Sequence, residues 1–303
     1  MPSLVEHLNW WWKNRRHARV VRAVLDTPPL IPRDDGVVLF SMIGTAVLLP
    51  YLVAVKSLHR HLGRGRVVIL DDGTLTQADR ATLRHHCGDP LIHAIADVDT
   101  GPCPRGGTWE RLLTILDARA TDYIIQLDSD TVTKAPLPDV LDAIDKGRSF
   151  CLRGEADAEL MPVDAFAATL PPLTGPMHIQ KAAERQLHTL AMPGLRYARG
   201  CSGFAGFAPS AAGRALAEAF SAAMEARLGP ARWREWGTEQ VTSNLVIANE
   251  PDALLLPYER YLNFWKVAPP ADARLIHYVG THRFHGESYM RATRAAIAEL
   301  SAS

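Results

Sequence analysis

At 303 residues, 47% hydrophobic and 22% charged, the chain is long enough to bury a sizeable core as one large domain or two small ones. Lys plus Arg balances Asp plus Glu at 33 each, which argues against a general nucleic-acid binder. No stretch supplies the roughly 18 uninterrupted apolar residues of a membrane-spanning helix. The N-terminus also lacks the order of a secretory signal, and Cys87, Cys103, Cys151 and Cys201 stand apart without a C-x-x-C pair, a pattern that fits reduced thiols in a cytoplasmic protein.

Residues 1–33 read as a helical arm. Trp10-Trp11-Trp12 precede Lys13, Arg15, Arg16, Arg19 and Arg22, and a helix would set Leu4, Leu8 and Trp11 on one side beside a basic flank. Such an arm suits the surface of an anionic membrane, or else packs on its own domain or a second subunit.

From residue 34 onward, short apolar runs alternate with longer amphipathic ones, the pattern of an α/β sheet with crossover helices. Strands are expected at Val37–Ile43, Arg66–Leu70, Leu91–Val98 and Tyr123–Leu127, with helices at residues 48–62, 75–86 and 108–119 between them. Beyond residue 136 the pattern loosens. A Pro-rich span (161–176), a helix (178–190), a Gly/Ser-rich strand (200–209), an Ala-rich helix (210–228), a helix opening at Trp236-Gly237-Thr238-Glu239-Gln240, a short strand (274–279) and a terminal helix follow.

The fourth strand ends in Asp128-Ser129-Asp130. Two carboxylates this close repel unless something positive sits between them. On an extended segment, side chains two apart face the same way, so both can aim at a hard cation such as Mg²⁺ or Mn²⁺ carrying a diphosphate. The plainer reading is a solvated turn, because Asp and Ser are ordinary turn residues. The position favours the metal: in open α/β sheets ligands bind at the carboxyl ends of the strands. Asp71-Asp72-Gly73 ends the second strand in the same way and reads equally as a nucleobase- or ribose-binding edge or as a D-G turn.

At this point the sequence resembles the metal-dependent glycosyltransferases of GT-A fold, over roughly residues 37–286, and is nearest to the glycogenin and bacterial lipopolysaccharide-galactosyltransferase type. The likeness rests on Ser57-Leu58 in the first helix, Arg111 in TWERLLTI before the D-x-D, Cys201-Ser202-Gly203-Phe204, Glu239-Gln240 at a helix start, and Ile276-His277-Tyr278-Val279-Gly280. The chain has Cys where that family has Asn, Glu where it has Asp, and Thr281-His282-Arg283-Phe284-His285 in place of K-P-W.

The resemblance implies an α/β fold of GT-A type, a Rossmann-like nucleotide-binding mixed sheet flanked by helices. Residues 34–303 would form one domain with a nucleotide-binding half (34–135) and an acceptor-binding half (136–303). It also implies transfer of a hexose from a nucleoside-diphosphate sugar to a hydroxyl acceptor, with Asp128, Asp130 and His277 holding Mn²⁺ or Mg²⁺. Glu239 and Gln240 would be catalytic. Asp71, Asp72, Arg111, Asp128, Ser129, Ser202, Gly203, His282, Arg283 and His285 would bind the donor. The acceptor (glycan, lipid-linked or small molecule), the base and the stereochemistry stay open. Two alternatives use the same residues: a haloacid-dehalogenase-type phosphatase with Asp128 as nucleophile, and a non-catalytic nucleotide-sugar-binding module.

Overall fold

A computed structural model describes residues 4–172, 175 and 177–302, the side chains of residues 4–9 excepted. The first elements are α1 (Leu4–Val21), β1 (Val37–Ile43), α2 (Leu48–Leu62), β2 (Arg66–Asp71), α3 (Gln77–Cys87) and β3 (Leu91–Ala94). Next come α4 (Trp109–Ala118), β4 (Tyr123–Leu127), β5 (Thr131–Thr133), α5 (Pro138–Asp145) and β6 (Phe150–Arg153). The chain goes on through β7 (Met161–Pro162), α6 (Val163–Thr169), α7 (Ile179–Glu184), β8 (Arg196–Tyr197), β9 (Gly200–Phe207), α8 (Ala215–Leu228) and α9 (Pro230–Trp233). It closes with α10 (Thr238–Ala248), β10 (Leu254–Leu255), β11 (Tyr261–Asn263), β12 (Leu275–His277) and α11 (Ser288–Ser301). The expected α/β architecture, a mixed sheet flanked by helices, is what the chain forms.

Two compact units divide it: Met1–His93, Leu127–Pro138 and Tyr258–Ser303 make the first, and Ala94–Gln126 with Asp139–Pro257 the second. In the first unit β1, β2 and β3 lie in that order, with β1 and β2 parallel from Val38 opposite Arg66 to Ile43 opposite Asp71. The run VVLFSMI is buried almost throughout, as expected of a parallel strand covered on both faces. Helix α2 buries Leu48, Tyr51, Leu52, Val55, Leu58 and Leu62, and Gly63 ends it at φ 68°, a left-handed conformation that glycine adopts without strain. A capping box between Thr76 and Asp79 starts α3. A small sheet, β11-β12-β5, sets His277 opposite Thr131 on one side and Asn263 on the other.

In the second unit the order is β10-β6-β9-β4, with β10 parallel and β9 antiparallel to β6. All eight residues of β9 (GCSGFAGF) are buried. A Cβ on Gly206 would lie 2.2 Å from the Phe150 ring, so the ring requires glycine there. Trp109, Phe220 and Trp233 form the aromatic centre of this unit's core.

Several expected elements are shorter: the helix expected over 210–228 begins at Ala215, and the strand expected over 274–279 is confined to Leu275–His277. The strand expected over 91–98 stops at Ala94, because Ile95–Asp97 winds into a 3-10 turn. The helix expected over 178–190 ends at Glu184, and Leu187–Thr189 forms a separate turn.

The arm is helical, and Leu4 and Leu8 of its expected apolar stripe lie outside the described side chains. His17 docks it on α11: the imidazole stacks on Tyr289 with ring centroids 4.1 Å apart, and Nε2 lies 3.0 Å from Thr293 Oγ1. Burial first, and the Arg283 charge second, lower its pKa from 6.5 to about 4. The unfolded chain therefore binds this proton more readily, so the contribution is fully present above about pH 6.5 and is lost as pH falls through about 4. Acidification from pH 7 to 4 should cost the wild type about 3 kcal/mol more than His17→Gln, read from paired chemical-denaturation curves. Parallel losses in the two proteins would show that His17 is not the acid-sensitive contact.

Candidate metal centre

The Asp128-Ser129-Asp130 segment is a tight turn between β4 and β5, where extended chain was expected: the Asp128 carbonyl accepts from Thr131 N at 3.2 Å and Thr131 Oγ1 at 3.0 Å. The turn reading and the metal reading are thus compatible. Strand β5 pairs antiparallel with β12, and Tyr278 N donates to the Asp130 carbonyl at 2.9 Å. That register delivers His277 to the carboxylates, with Nε2 at 3.3 Å from Asp130 Oδ1 and 3.8 Å from Asp128 Oδ2.

Arg283 Nη2 meets Asp130 Oδ2 at 2.8 Å. Asp130 is 7% exposed and His277 6%, while Asp128 and Ser129 are half-buried. Burial pushes the Asp130 carboxyl up, but the charge and hydrogen bond of His277 and the charge of Arg283 outweigh it. The carboxyl therefore sits below the ordinary range. The positive groups that relieve the paired aspartates include two from the chain itself.

One ligand atom from each of Asp128, Asp130 and His277 falls within 4.8 Å of the others, the one such cluster among the described residues. Two carboxylate oxygens and one imidazole nitrogen are an incomplete set suited to a divalent ion that takes further oxygens from water or phosphate. His277 Nδ1 lies 2.8 Å from Asn263 Oδ1. An amide oxygen can only accept, so Nδ1 donates to it and Nε2 is the nitrogen turned to the carboxylates, protonated when it pairs with Asp130 and free to offer its lone pair when a metal takes the proton's place.

No protein-family model matches the sequence, and no curated protein does. Among solved structures, the bifunctional glycosyltransferase WbbM superposes with a TM-score of 0.50 over 91% of this chain at 15% identity. The chain has the GT-A glycosyltransferase fold. It spans about half of the WbbM chain, 53%. Mouse xyloside xylosyltransferase 1 (13% identity, 79% of this chain and 96% of that one, TM-score 0.47) superposes less closely. So does the galactosyltransferase LgtC (12%, 86% and 95%, 0.45). A GT-A fold does not favour the phosphatase alternative.

Within the GT-A chain the remaining expected residues fall into three groups. The turn after β2 satisfies its own aspartates. Asp71 Oδ1 accepts from Gly73 N at 2.8 Å and Leu75 N at 3.2 Å, and its Oδ2 pairs with Arg80. Asp72 Oδ1 accepts from Thr74 N at 3.0 Å and Thr74 Oγ1 at 2.6 Å. A Cβ on Gly44 would lie 2.1 Å from the Asp72 carboxylate, so the end of β1 is shaped around this turn.

The loop after β12 carries Arg283 to Asp130. It also sets His282 against Trp265, with ring centroids 5.5 Å apart, and leaves His285 exposed. Burial, then the charges of Lys266 and His285, lower the His282 pKa.

In the second unit, a buried network joins four expected residues. Arg111 Nη2 meets Glu239 Oε2 at 3.1 Å and Ser202 Oγ at 3.2 Å, and Gln240 Oε1 lies 3.4 Å from both Ser202 N and Oγ. Gly203 is buried in β9 beside Ser202.

Sequence reasoning missed Asn263 and Thr108. Asn263 stands fourteen residues before His277 and meets it only through strand register, which no spacing reveals. Thr108 Oγ1 donates to Glu239 Oε2 at 2.9 Å from a left-handed backbone (φ 75°) that follows Gly106 and Gly107. A double glycine before a helix was the available signal.

Asn263→Leu should weaken Mn²⁺ binding at least about tenfold, measured by EPR titration of free Mn²⁺, whereas Asn263→Asp retains it. Equal affinity in the leucine variant would show that the tautomer is set elsewhere. Glu239→Ala takes the carboxylate from a buried guanidinium and should cost about 3 kcal/mol in urea denaturation, with Glu239→Gln losing less. A loss under about 1 kcal/mol in the alanine variant would mean that the pair does not hold this network.

Proposed function

We propose that the protein transfers a hexosyl unit from a nucleoside-diphosphate sugar to a hydroxyl acceptor. The observation that carries this reading is the Asp128–Asp130–His277 cluster at the end of β4 in a chain of GT-A fold. Bound there, a divalent ion, Mn²⁺ or Mg²⁺, would neutralise charge on the departing diphosphate. The imidazole nitrogen in the donor set favours Mn²⁺ of the two, because Mg²⁺ prefers oxygen alone.

The chain's own residues then have definable work. Asp128 and Asp130 bring two oxygen donors to one point, and Asn263 keeps the His277 Nε2 lone pair turned toward it. Arg283, seated on Asp130, offers a planar guanidinium matched to phosphate oxygens. His282 and His285 add nitrogen donors on the same loop, and Ser129 a hydroxyl.

The same proposal assigns residues 34–135 to the nucleotide and 136–303 to the acceptor, with the arm of residues 1–33 outside both. Asp71 and Asp72 would meet the base or ribose through whatever hydrogen-bonding capacity their turn leaves over. In the second unit Arg111, Ser202 and Gly203 would contact the donor, while Glu239 and Gln240 would position the sugar or activate the acceptor hydroxyl. Support for this group is the resemblance in motif order and the buried network that joins its members. The four cysteines, all buried thiols, suit the reducing cytoplasm.

A panel of nucleotide sugars with Mn²⁺ should contain at least one that raises the melting temperature and releases nucleoside diphosphate, both effects abolished by EDTA. Asp130→Asn should abolish them as well and, by leaving Arg283 and His277 facing a neutral group, lower stability by about 1–3 kcal/mol. Release of inorganic phosphate from simple phosphomonoesters, with no response to any nucleotide sugar, would replace the proposal with a phosphatase.

A further inference from the structure

Helix α1 has two faces, one committed to the protein and one not. His17 and Val21 are buried, and Trp10 meets the Phe284 ring edge-on at 5.8 Å. At about 100° per residue, positions 10, 17 and 21 share one stripe. The opposite stripe, about 100° wide, holds Trp11, Arg15, Arg19 and Trp12, all of them exposed. Arg16 flanks it, paired with Glu287 at 2.8 Å.

The Trp11 and Trp12 rings are 45% and 56% exposed, and they pack edge-to-face on each other at 5.1 Å. The Arg15 guanidinium lies over Trp11 at 4.9 Å. Two adjacent indoles left in water beside guanidinium groups are costly to solubility unless something apolar and anionic covers them.

We propose that this face of α1 seats the protein on an anionic lipid surface. Indole rings favour the headgroup boundary, and Lys and Arg beside them gain from negative headgroups. No described helix is long and apolar enough to cross a membrane, so α1 would lie in the plane of the interface. Charge selects lipid over a second copy of the chain: the stripe carries cations and no acid, and a two-fold contact through it would set like charges against each other. Ring geometry selects lipid over single-stranded nucleic acid, because indoles crossed at 81° present no flat platform for stacked bases. The docked stripe fixes which face is outward, since His17 and Trp10 hold the helix by α11 and Phe284. This assignment is independent of the reaction the protein catalyses.

The test uses the full chain and sedimentation with vesicles of phosphatidylcholine alone or with one quarter phosphatidylglycerol. The wild type should sediment with the anionic vesicles and be released as salt rises from 50 to 500 mM. Trp11→Ala/Trp12→Ala and Arg15→Glu/Arg19→Glu should each weaken that binding at least about tenfold, with the melting temperature unchanged because neither pair touches the docked face. Four results would overturn the proposal: no sedimentation of the wild type, equal sedimentation with neutral vesicles, wild-type binding by either double variant, or lipid-free dimers dissolved by the tryptophan pair in analytical ultracentrifugation. A wild type that binds a single-stranded oligonucleotide in preference to anionic vesicles would overturn it too.

Discussion

The carboxylate of Asp130 is buried between the His277 imidazole and the Arg283 guanidinium, and much of the first unit is arranged to keep it there. An unpaired carboxylate at that depth would cost several kcal/mol, so its partners must arrive with fixed geometry. Three separate pieces of backbone do this. The turn closed by Thr131 aims the aspartates, the β5–β12 register delivers His277, and the loop after β12 returns Arg283 to the same group. Phe284, the next residue, is clamped by Trp10, His17 and Tyr289, so the N-terminal helix packs directly behind the residue adjoining that arginine.

The second unit solves a similar problem by different means. Arg111 and Glu239 are both almost fully buried, and each is held by hydroxyls as well as by the other, Ser202 on the arginine and Thr108 on the glutamate. Trp109, two residues before Arg111, donates its indole N–H to the hydroxyl of Thr238, next to Glu239, at 2.9 Å. The start of α4 and the start of α10 are therefore joined twice, once by charge and once by an amphipathic ring that also belongs to the core. Shortening either side chain or removing either charge would leave its buried partner without compensation.

Much of this was legible in the residues. The alternation of apolar runs placed β1, β2, β4 and the helices between them, and the structure adds that Gly63, Gly88 and the Thr76–Asp79 box, all local signals, cap α2 and α3. Asp128 and Asp130 announced themselves because charge at the end of an apolar run needs a partner. The order of motifs along the chain pointed to a GT-A arrangement, which the backbone has. Where a strand depends on its neighbour more than on its own residues, as at β5, β10 and β11, two or three residues carry too little pattern to be read.

By itself, then, the sequence determined the α/β class, the position of the paired carboxylates at a strand end, and the basic, tryptophan-rich character of the first helix. Tertiary structure alone decided which groups meet. Asn263 behind His277, Arg283 on Asp130 and Thr108 on Glu239 are separated by 14, 153 and 131 residues of chain. It likewise decided that Trp10, though partly exposed, meets Phe284, while Trp11 and Trp12 meet each other on the outer side of the helix. The physical reason is the same in each case: periodicity and turn chemistry act over a few residues, whereas a buried charge takes its partner through strand register and packing.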